Sequence, residues 1–150
     1  MIDQRQTIAT GFQVEQPSAL LSWGATLTDV RDLLSTSVQA FRDGIVSAAC
    51  TVLNGLDCKV LLHGPRGFGQ DSMRDRLTMV SFWKQGDFQA TFDEIQLHLE
   101  LTFGPPHATI PGGDAWPAEY KWVIGDVIVS HYADDKGAGP QQRASIRKAL

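Results

Sequence analysis

"ACTVLNGLDCKVLLHG", residues 49–64, holds the pattern that decides the fold. Its central dipeptide, Asn54-Gly55, is favoured by the type I′ turn of β-hairpins, because that turn needs positive φ at both of its middle residues. Apolar and β-branched residues stand on either side of the dipeptide. The segment therefore predicts two short strands that pair around Asn54-Gly55.

Further strands are predicted later in the chain. "RLTMVSFW", residues 76–83, is apolar on both alternating faces, as is typical of a strand inside a sheet. "YKWVIGDVIVSHYA", residues 120–133, predicts two strands hinged at Gly125-Asp126. "QRASIRKAL", residues 142–150, could form a final edge strand or a short helix, and we favour the strand.

The segment "TLTDVRDLLSTSVQAF", residues 26–41, predicts the first helix. Its apolar residues follow helical spacing at Leu27, Val30, Leu34, Val38 and Phe41. Thr26 followed by Asp29 resembles a capping box, so the helix is expected to begin there. The hydroxyl residues at 35–37 can break it, because their side chains compete for backbone hydrogen bonds.

Residues 91–103 fit two periodicities. A strand is indicated by the alternation of Ile95, Leu97, Leu99, Leu101 and Phe103, and a helix by Phe92, Ile95, Leu99 and Phe103. We favour the helix, because Thr91 and Glu94 can form a capping box and Gly104 with two prolines provides a stop. Leu97 and Leu101 would then lie on a second face that needs cover from a loop or a partner.

The 150 residues are most simply one α+β domain spanning residues 1–150, with a mostly antiparallel sheet and two helices packed on one face. A net charge of −4 argues against a general nucleic-acid binder and permits an acidic surface that attracts a basic partner. No apolar stretch approaches the ~20 residues that span a bilayer. The N-terminal residues show no secretory signal, so a cytoplasmic protein is expected.

Cys50 and Cys58 are the only cysteines in the sequence. Their spacing fits neither a disulfide framework nor a zinc knuckle. We expect both to be small core residues in a reducing compartment.

"LLHGPRGFGQDSMRD", residues 61–75, resembles a phosphate-binding loop only in its glycine content. A Walker loop needs Lys-Ser/Thr after its last glycine, where this chain has Gln70-Asp71. A dinucleotide loop needs a different glycine order that opens a helix. We therefore interpret Gly64, Gly67 and Gly69 as part of a strand connection, and we predict no cofactor.

No standard catalytic or metal-binding template fits the sequence. The four histidines are scattered, without paired metal-ligand spacing. His131 with Asp134 and Asp135 could form part of a metal site or of a small enzyme's cleft. We favour a strand-end histidine beside a solvated acidic turn, so no catalytic residue and no metal site are predicted.

The segment "PPHATIPGGDAWPAEYKW", residues 105–122, concentrates prolines and aromatic residues. Prolines restrict a loop to few conformations and so lower the entropy lost on binding. Trp116 could serve there as a binding anchor, flanked by Asp114 and Glu119, or it could cap the edge of the sheet. Trp122 lies within a predicted strand and is expected in the core.

Three motifs carry a resemblance to a known group. They are Trp23-Gly24 through Val30 at a helix start, Gly104-Pro105-Pro106 at a helix end, and a late strand from Trp122 that closes in "HYAD". In this order the chain resembles small bacterial immunity proteins of polymorphic toxin systems, over roughly residues 20–137. It departs from them at "ADDKG", where an aromatic residue or arginine often precedes the glycine.

The resemblance implies a cytoplasmic, non-enzymatic protein that binds and blocks a cognate toxin. If so, we expect a partner-binding surface formed by Asp114, Trp116, Glu119, Asp134 and Asp135. A secretion chaperone or adaptor is an alternative within the same class. A small enzyme or ligand-binding domain that uses the cleft near His131 is the alternative from another class.

Overall fold

The computed structural model describes residues 4–65, 75–113, 116–135 and 139–149. Within these ranges the helices are Gln4–Thr7 (α1), Leu27–Leu34 (α2) and Phe88–Phe103 (α3), with a 3₁₀ turn at Ser35–Ser37. The strands are Gly11–Val14 (β1), Ala19–Ser22 (β2), Val38–Arg42 (β3), Ile45–Val52 (β4), Leu56–His63 (β5), Met79–Trp83 (β6), Ala108–Ile110 (β7), Glu119–Ile124 (β8), Val127–Asp135 (β9) and Pro140–Lys148 (β10). In the described part of the chain, no helix is long and apolar enough to cross a membrane.

Eight of these strands form one antiparallel sheet, in the order β3-β4-β5-β6-β10-β9-β8-β7. Strands β1 and β2 form a separate hairpin. The predicted α+β class with an antiparallel sheet is confirmed. The hairpin β1-β2, the strand β3, the short helix α1 and the edge strand β7 were not predicted.

One face of the sheet is apolar across six strands. Strand pairing aligns a single row of fully buried side chains on it, comprising Val46, Leu62, Val80, Ile146, Val129 and Trp122. The buried residues of α2, α3 and the β1-β2 hairpin join the same hydrophobic cluster as this row, and the Phe12 and Phe82 rings lie 5.7 Å apart. We call this the inner face, and the opposite side of the sheet the outer face. The predicted packing of helices on one face is confirmed, as is the core position of Trp122.

The hairpin that joins β4 to β5 has a three-residue turn instead of the predicted two-residue type I′ turn. Val52 pairs with Leu56, and the φ angles of Leu53, Asn54 and Gly55 are 51°, 58° and 98°. The physical reason is tertiary contact. The Leu53 side chain is fully buried, and its carbonyl accepts a hydrogen bond of 2.9 Å from Nδ1 of His98 on α3. These contacts draw Leu53 out of the strand.

The Glu15 carboxylate holds this turn from the other side. Its Oε2 accepts the Asn54 backbone N–H at 2.6 Å, and its Oε1 accepts the Gly55 N–H at 2.9 Å. The Asn54 side chain also donates to Oγ1 of Thr102 on α3 at 3.2 Å. The turn thus joins the loop after β1, the central hairpin and α3.

Helix α2 begins as predicted and is shorter than its apolar stripe suggested. Thr26 is the N-cap, and its Oγ1 accepts the Asp29 N–H at 3.1 Å. The helix ends before the 3₁₀ turn, which confirms the break expected at residues 35–37. The Ser35 φ angle of 51° turns the chain away, so Val38 and Phe41 lie on β3 and not on the helix.

Residues 91–103 are helical, which settles the ambiguity in favour of the helix. The predicted capping box at Thr91 is wrong, because the helix begins at Phe88. Asp87 is the N-cap, and its Oδ2 accepts the Ala90 N–H at 3.0 Å. At the other end Gly104 has a φ angle of 82°, and its N–H donates to the Glu100 carbonyl.

Strand β10 was correctly predicted as a strand and wrongly placed at an edge. It lies in the middle of the sheet, between β6 and β9. Ala144 and Ile146 are buried on the inner face, while Arg143 and Arg147 alternate with them on the outer face. Because the outer face is not packed against the helices, a central strand here carries the polar alternation that is usual at an edge.

Cys50 and Cys58 face each other on β4 and β5 as free thiols. Cys50 is buried and Cys58 is half-buried, which agrees with the core role expected for them. Burial raises the pKa of Cys50 to about 11 and that of Cys58 to about 12. Both thiols are therefore protonated near neutral pH and weak nucleophiles.

Removal of the Glu15 carboxylate tests its role in the turn. Glu15→Ala should lower the free energy of unfolding by ~2 kcal/mol, because two backbone donors lose a charged acceptor. Glu15→Gln keeps one acceptor oxygen, so its free energy of unfolding should lie between those of Glu15→Ala and the wild type. Urea unfolding followed by tryptophan fluorescence measures the effect. Glu100→Ala at an exposed helix position is the control, and equal losses in Glu15→Ala and this control would contradict the role.

Candidate functional site

Several strand ends meet at one end of the sheet. Because neighbouring strands are antiparallel, the end of β6 lies beside the start of β10, and the end of β9 lies beside the start of β8. Alternation directs five side chains there toward the outer face. We call this group the strand-end surface; it consists of Trp83, Glu119, Tyr132, Asp134 and Arg143.

Half of the area of Trp83 is accessible, whereas Tyr132, the other aromatic member of this surface, is half-buried. Two depressions meet at Trp83, Gln142 and Arg143. One, of about 330 Å³, extends over the outer face toward Leu61 and Tyr132. The other, of about 390 Å³, extends around the sheet end to the first turn of α3. A partner side chain could therefore enter on either side of the indole ring.

The Arg143 guanidinium is held along the outer face by two contacts. Its Nε lies 3.1 Å from Oδ2 of Asp134, and its NH2 group donates to Oε1 of Gln141 at 2.9 Å. Both side chains of the ion pair are partly exposed, so the pair adds little to stability and mainly fixes orientation. Asp134, one of the predicted partner-binding residues, is thus part of an ion pair with Arg143.

Trp116 lies in the loop before β8 and is 38% exposed. Its backbone N–H donates to the Gly113 carbonyl at 3.0 Å. A Cβ atom on Gly112 would stand 2.4 Å from the Pro117 carbonyl oxygen, so only glycine permits this close approach of the backbone. The ring of Trp116 is accessible and its loop is folded back on itself.

The other residues predicted to bind a partner do not lie together on one face of the sheet. Glu119 lies on the outer face, with its Oε2 4.0 Å from the Lys121 ammonium. Asp135 is exposed at the end of β9, and alternation places it on the face opposite Asp134. Asp114 lies outside the described residues. Trp116, Glu119, Asp134 and Asp135 therefore share one end of the sheet but not one face.

His131 does not join Asp134 and Asp135 in a cleft, which corrects that hypothesis. Strand alternation places His131 on the inner face, fully buried, with Asp134 on the outer face. Its Nδ1 lies 2.8 Å from Oε1 of Gln96, and its ring stacks on Phe92 with centroids 4.0 Å apart. Burial lowers the pKa of His131 to about 4, a shift that the nearby Gln142 side chain partly offsets. His131 is therefore a neutral core residue at neutral pH.

Within the residues that the structure describes, no three His, Cys, Asp or Glu side chains are grouped so that they could hold a metal ion.

Sequence reasoning missed Trp83, Tyr132 and Arg143 as site residues. One signal was available, because the alternation in "MVSFW" places Met79, Ser81 and Trp83 on the side opposite Val80 and Phe82. No such signal joins Trp83 to Arg143, which requires the pairing of β6 with β10. That pairing links residues about sixty positions apart in the chain.

Comparison with known proteins gives the fold alone. No protein-family model matches this sequence. No curated protein matches it. Its structure is similar to the crystal structure of a DUF4309 family protein (YjgB) from Bacillus subtilis, with a TM-score of 0.52 and 10% identity over 98% of this chain and 94% of that one.

The buried His131 predicts a dependence of stability on pH. Its pKa is about 4 in the folded protein and 6.5 in the reference state, so the unfolded chain binds the proton more tightly. The stability that the neutral ring confers is complete above pH 6.5 and is lost as pH falls toward 4. The loss should reach ~3 kcal/mol, and His131→Gln should lack it.

Urea unfolding of both proteins at pH 7 and pH 4 measures this difference. Carboxylates that titrate in the same range contribute equally to both proteins, so the comparison isolates His131. Parallel losses in the wild type and His131→Gln would show that the ring does not titrate on unfolding.

Proposed function

We propose that this protein is a non-enzymatic interaction protein that neutralises a cognate bacterial toxin by binding it in the cytoplasm. The observation that carries the proposal is the strand-end surface, where Trp83, Tyr132 and Arg143 stand together on the outer face. Trp, Tyr and Arg are the residues most enriched at the energetic centres of protein interfaces.

The geometry of these side chains supports binding in two ways. The half-exposed indole of Trp83 stands between two depressions, so it offers both a ridge and adjacent space for a partner. Arg143 is held in place by Asp134 and Gln141 before any partner arrives, which lowers the entropy lost on association. Rigid strands position the whole group.

The toxin as partner is supported by the resemblance in sequence. Each resembling motif has a structural role in this chain. Trp23 donates from Nε1 to the Ile8 carbonyl at 2.7 Å, Thr26 caps α2, and Trp122 donates to the carbonyl of the helix-ending Gly104 at 2.8 Å. These residues maintain the scaffold. Choice of partner would then depend on surface residues outside the motifs, such as Trp83.

The proposal revises the expected anchor. Trp116 was the expected anchor, and its ring is accessible, but it lies in a loop at the margin of the strand-end surface. Trp83 lies on β6, a strand in the middle of the sheet, beside the oriented Arg143. Energetic anchors concentrate at the centre of an interface, where surrounding contacts exclude water. We therefore assign the main contribution to Trp83 and a smaller one to Trp116.

Co-expression with the toxin candidate encoded by the adjacent gene tests the proposal. Trp83→Ala should weaken binding of that toxin by ~2 kcal/mol, or about 30-fold, and reduce protection from it. Trp116→Ala should weaken binding less. Val123→Ala is the matched control. Val123 is an apolar residue on β8 that lies on the outer face of the sheet, as Trp83 does, and it is 53% exposed.

Growth protection and binding kinetics of each variant provide the measurement, with thermal unfolding to show that each variant is folded. If Trp83→Ala and Val123→Ala bind equally well, the interface lies elsewhere. If the wild type fails to protect against the adjacent toxin candidate, the immunity assignment is wrong for that pair. Delivery of an intact adjacent protein to a secretion system, without growth protection, would favour a chaperone instead.

A further inference from the structure

The outer side of α3 carries two leucines that remain uncovered. Leu97 and Leu101 are 53% and 60% exposed, so more than half of each side chain is accessible. They lie four residues apart and so form one continuous apolar ridge. The sequence predicted that this face needs cover. No helix or strand that the structure describes provides it.

Carboxylates surround this ridge. Asp93, Glu94 and Glu100 stand at positions −4, −3 and +3 from Leu97, all of which neighbour it on the helix surface. Asp93 accepts a hydrogen bond of 2.9 Å from Gln89, and Glu94 lies 2.7 Å from the Lys84 ammonium. Helix α3 itself contains neither lysine nor arginine. We call these two leucines and three carboxylates the α3 ridge.

Helix stability does not explain this arrangement. An acidic side chain stabilises a helix in its first turn and destabilises it in its last turn, because of the helix dipole. The first turn of α3 has no acidic residue and its last turn has no basic one, while Glu100 lies in that last turn. The two exposed leucines bury little apolar surface within this chain, so core packing does not explain them either. Neither the helix dipole nor the core therefore accounts for this arrangement.

We propose that the α3 ridge binds a basic amphipathic helix of a second protein. Leucine-like side chains of that helix would pack on Leu97 and Leu101, and its lysines or arginines would meet Asp93 and Glu100. Charge complementarity selects this occupant. A second copy of this chain would instead bring one acidic ridge against another, which like-charge repulsion disfavours.

This surface is separate from the proposed toxin site. Helix α3 packs on the inner face of the sheet through Phe92, Ile95 and Leu99, so its ridge points away from the sheet. The strand-end surface points outward from the opposite face. Both surfaces can be occupied at the same time. The inference therefore goes beyond the proposed function and does not depend on it.

A synthetic helix provides the probe. A fluorescein-labelled, fourteen-residue amphipathic peptide of leucine and lysine is titrated with the full chain, and fluorescence anisotropy gives the affinity. The double variant Leu97→Ser/Leu101→Ser should weaken binding at least about tenfold. Asp93→Asn/Glu100→Gln should weaken binding by about threefold to tenfold and reduce its dependence on salt.

Leu33→Ser is the matched control. Leu33 is a 52% exposed leucine on α2, with Asp29 and Asp32 on the same short helix, so it measures non-specific attraction to an acidic, leucine-bearing helix. Leu33→Ser should bind the peptide as the wild type does. Trp83→Ala should also leave peptide binding unchanged, which separates this test from that of the proposed function.

Three results would overturn the proposal. The first is absence of peptide binding by the wild type, and the second is equal weakening by Leu33→Ser and the double leucine variant. The third is concentration-dependent dimerisation of the wild type, measured by light scattering, that the double leucine variant abolishes. That third result would assign the ridge to a second copy of the chain.

Discussion

The Glu15 carboxylate accepts two hydrogen bonds from the turn at residues 53–55. The rest of the architecture depends on this contact. This turn sets the pairing of β4 with β5, and β5 in turn aligns β6 and then β10. Side chains alternate between faces along a strand, so a slip of one residue would move the β4 and β5 members of the buried row to the outer face. A single carboxylate on two backbone donors therefore contributes to alignment far beyond its own contacts.

The two sides of the sheet differ in how they are packed. The inner face carries the apolar row and is covered by α2, α3 and the β1-β2 hairpin. The outer face combines serines, charged residues and a few aromatic rings, so substitutions there need not disturb the core. The side chains on the outward side of α3, such as Leu97 and Leu101, are likewise exposed and do not pack in the core. Such a division lets substitutions change the chemistry of the outer face while the inner face keeps its packing.

Local chemistry made much of the fold predictable from sequence. The apolar spacing and the Gly104 stop predicted α3, and the Thr26 cap predicted the start of α2. Long-range contacts determined what local chemistry could not. Burial of Leu53 lengthened the central turn, and the outer face gave β10 the polar alternation of an edge strand. Of the residues predicted to bind a partner, the four that the structure describes lie at one end of the sheet. Trp83 was missed because its neighbours follow from strand register.

The central position of β10 affects how the protein is made. The last strand of the described chain must enter between β6 and β9, which are both synthesised before it. Until then β6 and β9 each lack one partner strand. Apolar residues such as Val80 and Val129 then have no Ile146 beside them. The sheet therefore cannot be completed until residues 140–148 are available to pair with both strands. Unpaired strand edges of this kind are where chains associate wrongly, and they are the surfaces that chaperones protect during synthesis.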